Sequence, residues 1–255
     1  MKQIITLATL VALEALRTSF FVVIVMLLLV GFGLSIFIGQ TAIVETVNYQ
    51  SSLLAAFLRL SAIYVISLFV ITSMVHEFHN NSIYLWLSLS LQRSSYFIGK
   101  FSGFALIALL TATLFGLALL NYVPYSQVGL WSLSLFCELL IVIAVSLLCV
   151  LTFHQVVQSF SMVLGFYILA RSIGAIQLMA LNSLSNSQSL TDQFINGFIK
   201  LLAMLLPNLE NFTQSAWLVY HTGSFNSLIE ILLQTAIYVI LLISMSLFDI
   251  YRKNL

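Results

Sequence analysis

The chain has 255 residues, of which 61% are hydrophobic and only 7% charged, with a formal net charge of +1. Soluble domains carry roughly 25% charged residues, so a water-soluble fold could not cover itself here, and the composition specifies an integral membrane protein. The near-neutral balance, with no basic stripe, leaves no basis for a nucleic-acid partner.

Residues 3–17 form a weakly amphipathic segment with Ile4, Ala8, Val11 and Ala15 on one side and Gln3, Glu14 and Arg17 elsewhere. Such a helix is expected to lie along the membrane surface and turn into the first span, the other reading being a simple extension of that span. Only Lys2 and Arg17 precede the first long apolar run, a pattern unlike a cleavable signal.

Six runs reach the roughly 20 residues that a bilayer core requires: about 19–39, 53–75, 99–121, 130–153, 157–180 and 227–249. Lipid offers no partner to an open backbone, and the alternation of barrel strands is absent, so an all-helical bundle of six transmembrane helices follows, a single domain over 1–255. With both ends on one side, Lys2, Arg17, Arg93, Lys100, Arg252 and Lys253 share that side, against Arg59, Arg171 and Lys200 in or beyond the opposite half. That bias predicts cytoplasmic termini.

Between the second and third runs lies His76–Lys100, HEFHNNSIYLWLSLSLQRSSYFIGK, a polar, amphipathic interval in an apolar chain. Ile83, Trp86, Leu87 and Leu91 fall on one helical face, suited to the membrane surface or a groove in a partner. Arg93 and Lys100, a heptad apart, suit lipid phosphates or an acidic rim. The bland alternative is a turn-around helix with no partner. His76 and His79 beside Glu77, with His154 expected on the same side, fall short of a metal site: the spacing is not that of zinc proteases, and no Asp or Cys joins them. Gly99-Lys100 is no phosphate-binding loop, because Ser94 stands where its first Gly belongs and Phe101 where Ser or Thr is needed. Gly99 and Gly103 form a weak helix-packing signal.

Cys137 and Cys149, twelve residues apart in the fourth run, would be about 18 Å apart along a helix and cannot bridge each other. Glu138 and Arg171 flank the tight turn near His154, 16 residues before it and 17 after. On antiparallel helices both rise about 25 Å from that turn, into the other half of the membrane. Arg59, 17 residues before His76, lands at a similar height. Charges at that depth pair or face water. Glu138 and Arg171 are therefore expected either to pair across the hairpin and line or close a pathway, to fix helix register, or to snorkel outward without contact.

The long segment 181–226 is expected outside. Its apolar stretch 194–206, 13 residues stopped by Pro207, rises only about 20 Å and is read as a re-entrant or interfacial helix. Trp217 and Tyr220 would anchor at headgroup level.

These features together resemble the permeases of type-2 ABC exporters (the ABC-2 membrane family). The residues that carry the likeness are Glu77, Ser82 in place of a Thr, Leu85, Leu87 and Ser88, then Arg93, Tyr96, Gly99 and Lys100. Pro207-Asn208-Leu209-Glu210 resembles a motif of the subgroup labelled multi-copper enzyme maturation permeases, although the seven scattered Met ligate nothing recognisable. Asn81, Tyr84 and Ser90 depart from the usual Gly, acidic residue and Pro. The resemblance implies a permease of the bacterial inner membrane with a cytoplasmic coupling helix between spans two and three. Two copies of a separate ATPase would dock there, binding the ATP and Mg that this chain does not, and a second permease copy or close relative would complete the transporter. Membrane lipid is the remaining partner. Two other classes stay open: a secondary transporter or assembly factor without an ATPase, for which an inverted repeat is expected but not seen, and an intramembrane metalloenzyme.

Overall fold

The computed structural model describes residues 2–41, 46–80, 93–183 and 190–252, and among them every regular element is helical. The elements are α1 (Lys2–Arg17), α2 (Phe20–Thr41), α3 (Thr46–His79), α4 (Arg93–Leu119), α5 (Tyr125–Phe153), α6 (Val156–Ser183), α7 (Leu190–Leu205), a single 3-10 turn (Leu209–Asn211), α8 (Ser215–Tyr220) and α9 (Phe225–Arg252). Six of them, α2 to α6 and α9, are long and apolar enough to cross a membrane. The number matches the expectation, and the ends move outward where polar residues continue the helix. The third helix begins with Thr46-Val-Asn-Tyr-Gln rather than near residue 53. There Gln50 Nε2 donates to Ser35 O at 3.1 Å and ties α3 back to α2. The fifth helix starts at Tyr125, directly after Pro124, whose fixed φ of −59° suits a helix entry.

Successive spans alternate in direction. Arg17, His79, Arg93 and His154 therefore share one end with Arg252, where the described chain closes (the terminal end), and α7, α8 and the turn between them sit at the other (the far end). The turn at His154 uses a left-handed backbone, φ 57°, and closes when its N–H bonds Val150 O at 2.9 Å. Ser159 Oγ then reaches Cys149 O across the hairpin.

Helix α5 is the axis of the bundle. Most of its membrane-spanning length is covered by protein, whereas α2, α6 and α9 turn most of theirs outward. Buried Trp131, Leu135, Leu139, Ile143 and Leu147 run down it. The outer helices expose Val25, Leu29, Ile237, Ile240 and Phe248, the surface expected to meet lipid.

Helix α1 is separate from α2, with a turn at Thr18–Ser19. Of its predicted face Ala8, Val11 and Ala15 are buried, and the side chain of Ile4 lies outside the described residues. That face packs along α4, where Val11 Cβ and Ala8 Cα come so close to Gly103 that a Cβ there would meet them at 2.7 and 3.1 Å. Ile5, Leu13 and Leu16 remain exposed on the opposite side. Helix α7, 16 residues long, spans about 24 Å and is too short for the roughly 30 Å hydrocarbon core. Trp217, expected at headgroup level, is instead buried against Gly223 and the core, because α8 folds back onto α3 and α5; Tyr220 is 73% exposed.

Candidate functional sites at the two ends of the bundle

The terminal end carries a compact polar clamp. Glu77 is in the last turn of α3, and Tyr96 and Lys100 are one turn apart at the start of α4. Tyr96 Oη donates to Glu77 Oε2 and Lys100 Nζ to Glu77 Oε1. Lys100 is 4% exposed and Tyr96 5%, and Leu7 of α1 with Phe78 closes over the tyrosine ring. A lysine buried so deeply needs its carboxylate, since an unpaired charge in this setting is strongly unfavourable. The heptad Arg93–Lys100 thus does not act as two outward charges: Lys100 turns into the bundle and joins the two helices. The reason is tertiary, because only the antiparallel packing of α3 on α4 brings Glu77 beside it.

Ile83, Trp86, Leu87 and Leu91, the expected apolar face, lie outside the described residues. The backbone of Arg93 opens α4, and its side chain is likewise outside them. What is defined is the base of that segment, where Glu77 and Lys100 fasten together the helices it connects. Nearby, His154 stacks on Phe78 with ring centroids 4.8 Å apart, and His76 Nε2 lies 2.9 Å from Asn80 Nδ2. Among the described residues no group of three or more His, Cys, Asp or Glu converges in a metal-binding arrangement.

The far end holds a larger cluster centred on Glu138, which is 0% exposed. Arg171 Nη1 is 3.7 Å from Glu138 Oε1, so the hairpin brings that pair together. The carboxylate also accepts from Tyr167 Oη at 3.0 Å and from Thr213 Oγ1 at 2.8 Å. Arg171 does more than face Glu138: its Nη1 donates to Leu209 O and to Phe212 O. Arg59, placed at the same height by its spacing, gives Nη1 to Thr213 O at 3.3 Å. Ser134 Oγ accepts the Thr213 N–H at 2.9 Å.

The segment 207–213 is thereby fastened to α3, α5 and α6 largely through its own backbone. Its chain is not helical beyond the single turn, and Thr213 has φ 45°. Its carbonyls would be unsatisfied in an apolar bundle, and the two guanidiniums supply donors to them. Leu209 and Phe212, both 0% exposed, insert as apolar pegs between these polar contacts. Asn208 and Glu210 lie over α6 at Gly174, where a Cβ would meet Glu210 Oε2 at 2.0 Å and Asn208 Oδ1 at 3.7 Å.

Thr213, Tyr167 and Ser134 were not foreseen as partners of Glu138. Tyr167, four residues before Arg171 and so on the same helix face, carried a usable spacing signal; Thr213 carried none. Glu138 is sealed from solvent by the helices around it. The sequence matches no protein-family model, and no curated protein matches it.

Proposed function

We propose that this protein is the membrane-spanning permease subunit of a type-2 ABC transporter, an exporter powered by a separate ATPase that binds ATP and Mg. The observation that carries this reading is the Glu77–Tyr96–Lys100 clamp at the base of residues 81–92. A short amphipathic segment that merely turned the chain around would need no buried ion pair joining the two helices that bear it. A segment that must transmit force does, because a push on a loose loop would be lost in bending. Six apolar spans and the resemblance in residues 77–100 support the same assignment.

In this mechanism two ATPase subunits seat the face formed by Ile83, Trp86, Leu87 and Leu91 on the cytoplasmic side of the inner membrane, with both termini there. Arg93 lies at the rim of that contact. Closure of the ATPases on nucleotide displaces the segment, and the clamp carries the displacement into α3 and α4 as one body. Helix α3 extends to Arg59 and α5 to Glu138, so movement at the terminal end arrives at the cluster holding 207–213. A second permease copy, or a close relative, supplies the other wall of the pathway. Glu138, Arg171 and Arg59 act here by holding that wall in register and fastening its outer segment, not by lining an open channel.

The test is co-purification of an ATP-binding subunit with the full chain from membranes. Replacing Ile83, Trp86, Leu87 and Leu91 by Ser or Gln is expected to abolish it. An ATPase that stays bound to that variant overturns the coupling assignment. A wild-type chain that copurifies with no ATPase, yet drives transport in vesicles on an ion gradient alone, replaces it with secondary transport.

A further inference from the structure

A groove of about 470 Å³ runs between α2 and α3 near the terminal end, open along one side. Its α3 wall is a single helical stripe from Tyr64 through Leu68 to His76, a length of about 18 Å. That is slightly more than half the roughly 30 Å thickness of a hydrocarbon core, the depth of one leaflet. The opposite wall is Phe20 and Val23 of α2, and Glu14 of α1 joins the lining.

The polarity of the walls changes along this length. Along α3 the lining runs from Tyr64, Leu68 and Phe69 to Thr72, Ser73 and His76 toward the terminal end, with Phe20 and Val23 apolar on α2 and Glu14 and Thr18 the polar lining before it. Ser73 is the informative residue. It is 5% exposed, and its hydroxyl has no hydrogen-bond partner among the described residues. Its neighbours on α3 behave differently: Ser61, Ser67 and Thr72 each donate to a carbonyl one turn earlier. A buried hydroxyl that has forgone the bond its own helix offers is poised for a partner from outside the chain. His76 points the same way. Its Nε2 lies 2.9 Å from Asn80 Nδ2, an amide nitrogen that can only donate, so the ring nitrogen left to donate elsewhere is Nδ1. Glu14 forms no ion pair among the described residues.

We infer that this groove is a binding site for one glycerophospholipid bearing a primary-amine headgroup, drawn from the leaflet on the side of the chain termini. One acyl chain occupies the apolar stripe between α2 and α3. The ammonium meets the Glu14 carboxylate, a charge-assisted hydrogen bond. Ser73 Oγ and His76 Nδ1 donate to the phosphate and ester oxygens. The carboxylate selects the head: a quaternary ammonium has no N–H to give it, and a glycerol headgroup has no cation. The inference needs only that the six apolar helices lie in a membrane, so it stands or falls apart from the ATPase assignment.

The test uses the full chain in nanodiscs containing phosphatidylethanolamine, phosphatidylcholine and phosphatidylglycerol in equal parts, with retained lipid counted by native mass spectrometry. Phosphatidylethanolamine is expected to be retained about tenfold over each of the others, as one charge-assisted contact allows. The double variant Glu14→Gln, Ser73→Ala should lose that preference while still holding lipid. Leu68→Trp, on a half-exposed position, should fill the groove and lower retention of every lipid. Should that variant fail to fold, Val23→Trp fills the groove from the other wall. Equal retention of the three lipids by the wild type overturns the inference, as does a preference that survives the double variant. A groove covered by a second copy, seen as a lipid-free dimer, also overturns it.

Discussion

The two polar clusters use the same chemistry and do different things. Each is a glutamate that accepts from a tyrosine and faces a cation: Glu77 with Tyr96 and Lys100, Glu138 with Tyr167 and Arg171. In the first, all three residues come from consecutive spans, and the glutamate side chain remains 17% exposed. In the second, the glutamate side chain is 0% exposed, and a further segment is drawn in from far along the sequence through Thr213. The choice of cation explains much of the contrast. Lysine offers a compact point charge that binds one carboxylate, and so makes a clamp between two helices. Arginine presents a fork of donors, so Arg171 can face Glu138 while binding two backbone carbonyls, and becomes a fastener for a non-helical segment.

The comparison is sharpened most by Glu138→Ala. It leaves Arg59 and Arg171 without their central carboxylate and strips the acceptor from Tyr167 and Thr213. We expect a loss of about 3–5 kcal/mol, the usual effect of breaking a buried pair, read as thermal unfolding in detergent micelles. Glu138→Gln should be milder, and combined with Arg171→Met it should depart from additivity by about 0.5–3 kcal/mol. Additive losses would dissolve the pair.

Lys100→Met tests the clamp. It removes one charge-assisted bond from a carboxylate still partly open to solvent and still held by Tyr96, so about 1.5–3 kcal/mol is expected. The second readout is functional: ATP hydrolysis by the assembled complex should persist while transport falls. If transport is untouched, the two helices do not move as one body.

Thr213→Ala cuts the side-chain link between the outer segment and Glu138, while the Thr213 N–H bond to Ser134 remains available. A loss of about 1–2 kcal/mol is expected, with faster proteolysis confined to the segment 207–213. Uniform proteolysis would show that the segment is not a separately fastened unit. The smallest effects belong to Tyr96→Phe and Tyr167→Phe, each about 1 kcal/mol. Tyr167→Phe should be the larger, since Glu138 has no access to water to replace the lost donor. The reverse order would mean that the far-end cluster is wetter than its burial implies.

Much of the terminal end was legible in the sequence. Glu77 and Lys100 flank one short connection, and a polar interval between long apolar runs announces itself. What the sequence misjudged there was direction: Lys100 read as an outward charge is buried, because helix packing decides which face of α4 meets α3. The far end was only half legible. Helical rise placed Glu138, Arg171 and Arg59 at one height, since 1.5 Å per residue is a property of the backbone alone. Nothing local marked Thr213 or the carbonyls of Leu209 and Phe212 as their partners.

By itself, then, the sequence determined the apolar, helical class, the number of spans and the common height of Glu138, Arg171 and Arg59. These follow from hydrophobic length and from a backbone that must satisfy its own hydrogen bonds in lipid. Only the tertiary structure decided which charge meets which group, that α1 covers the clamp, and that 207–213 folds back into the bundle. Those outcomes depend on contacts between residues distant in the chain, from 23 positions for Glu77 and Lys100 to 75 for Glu138 and Thr213, where no local pattern specifies the partner and packing of the whole bundle does.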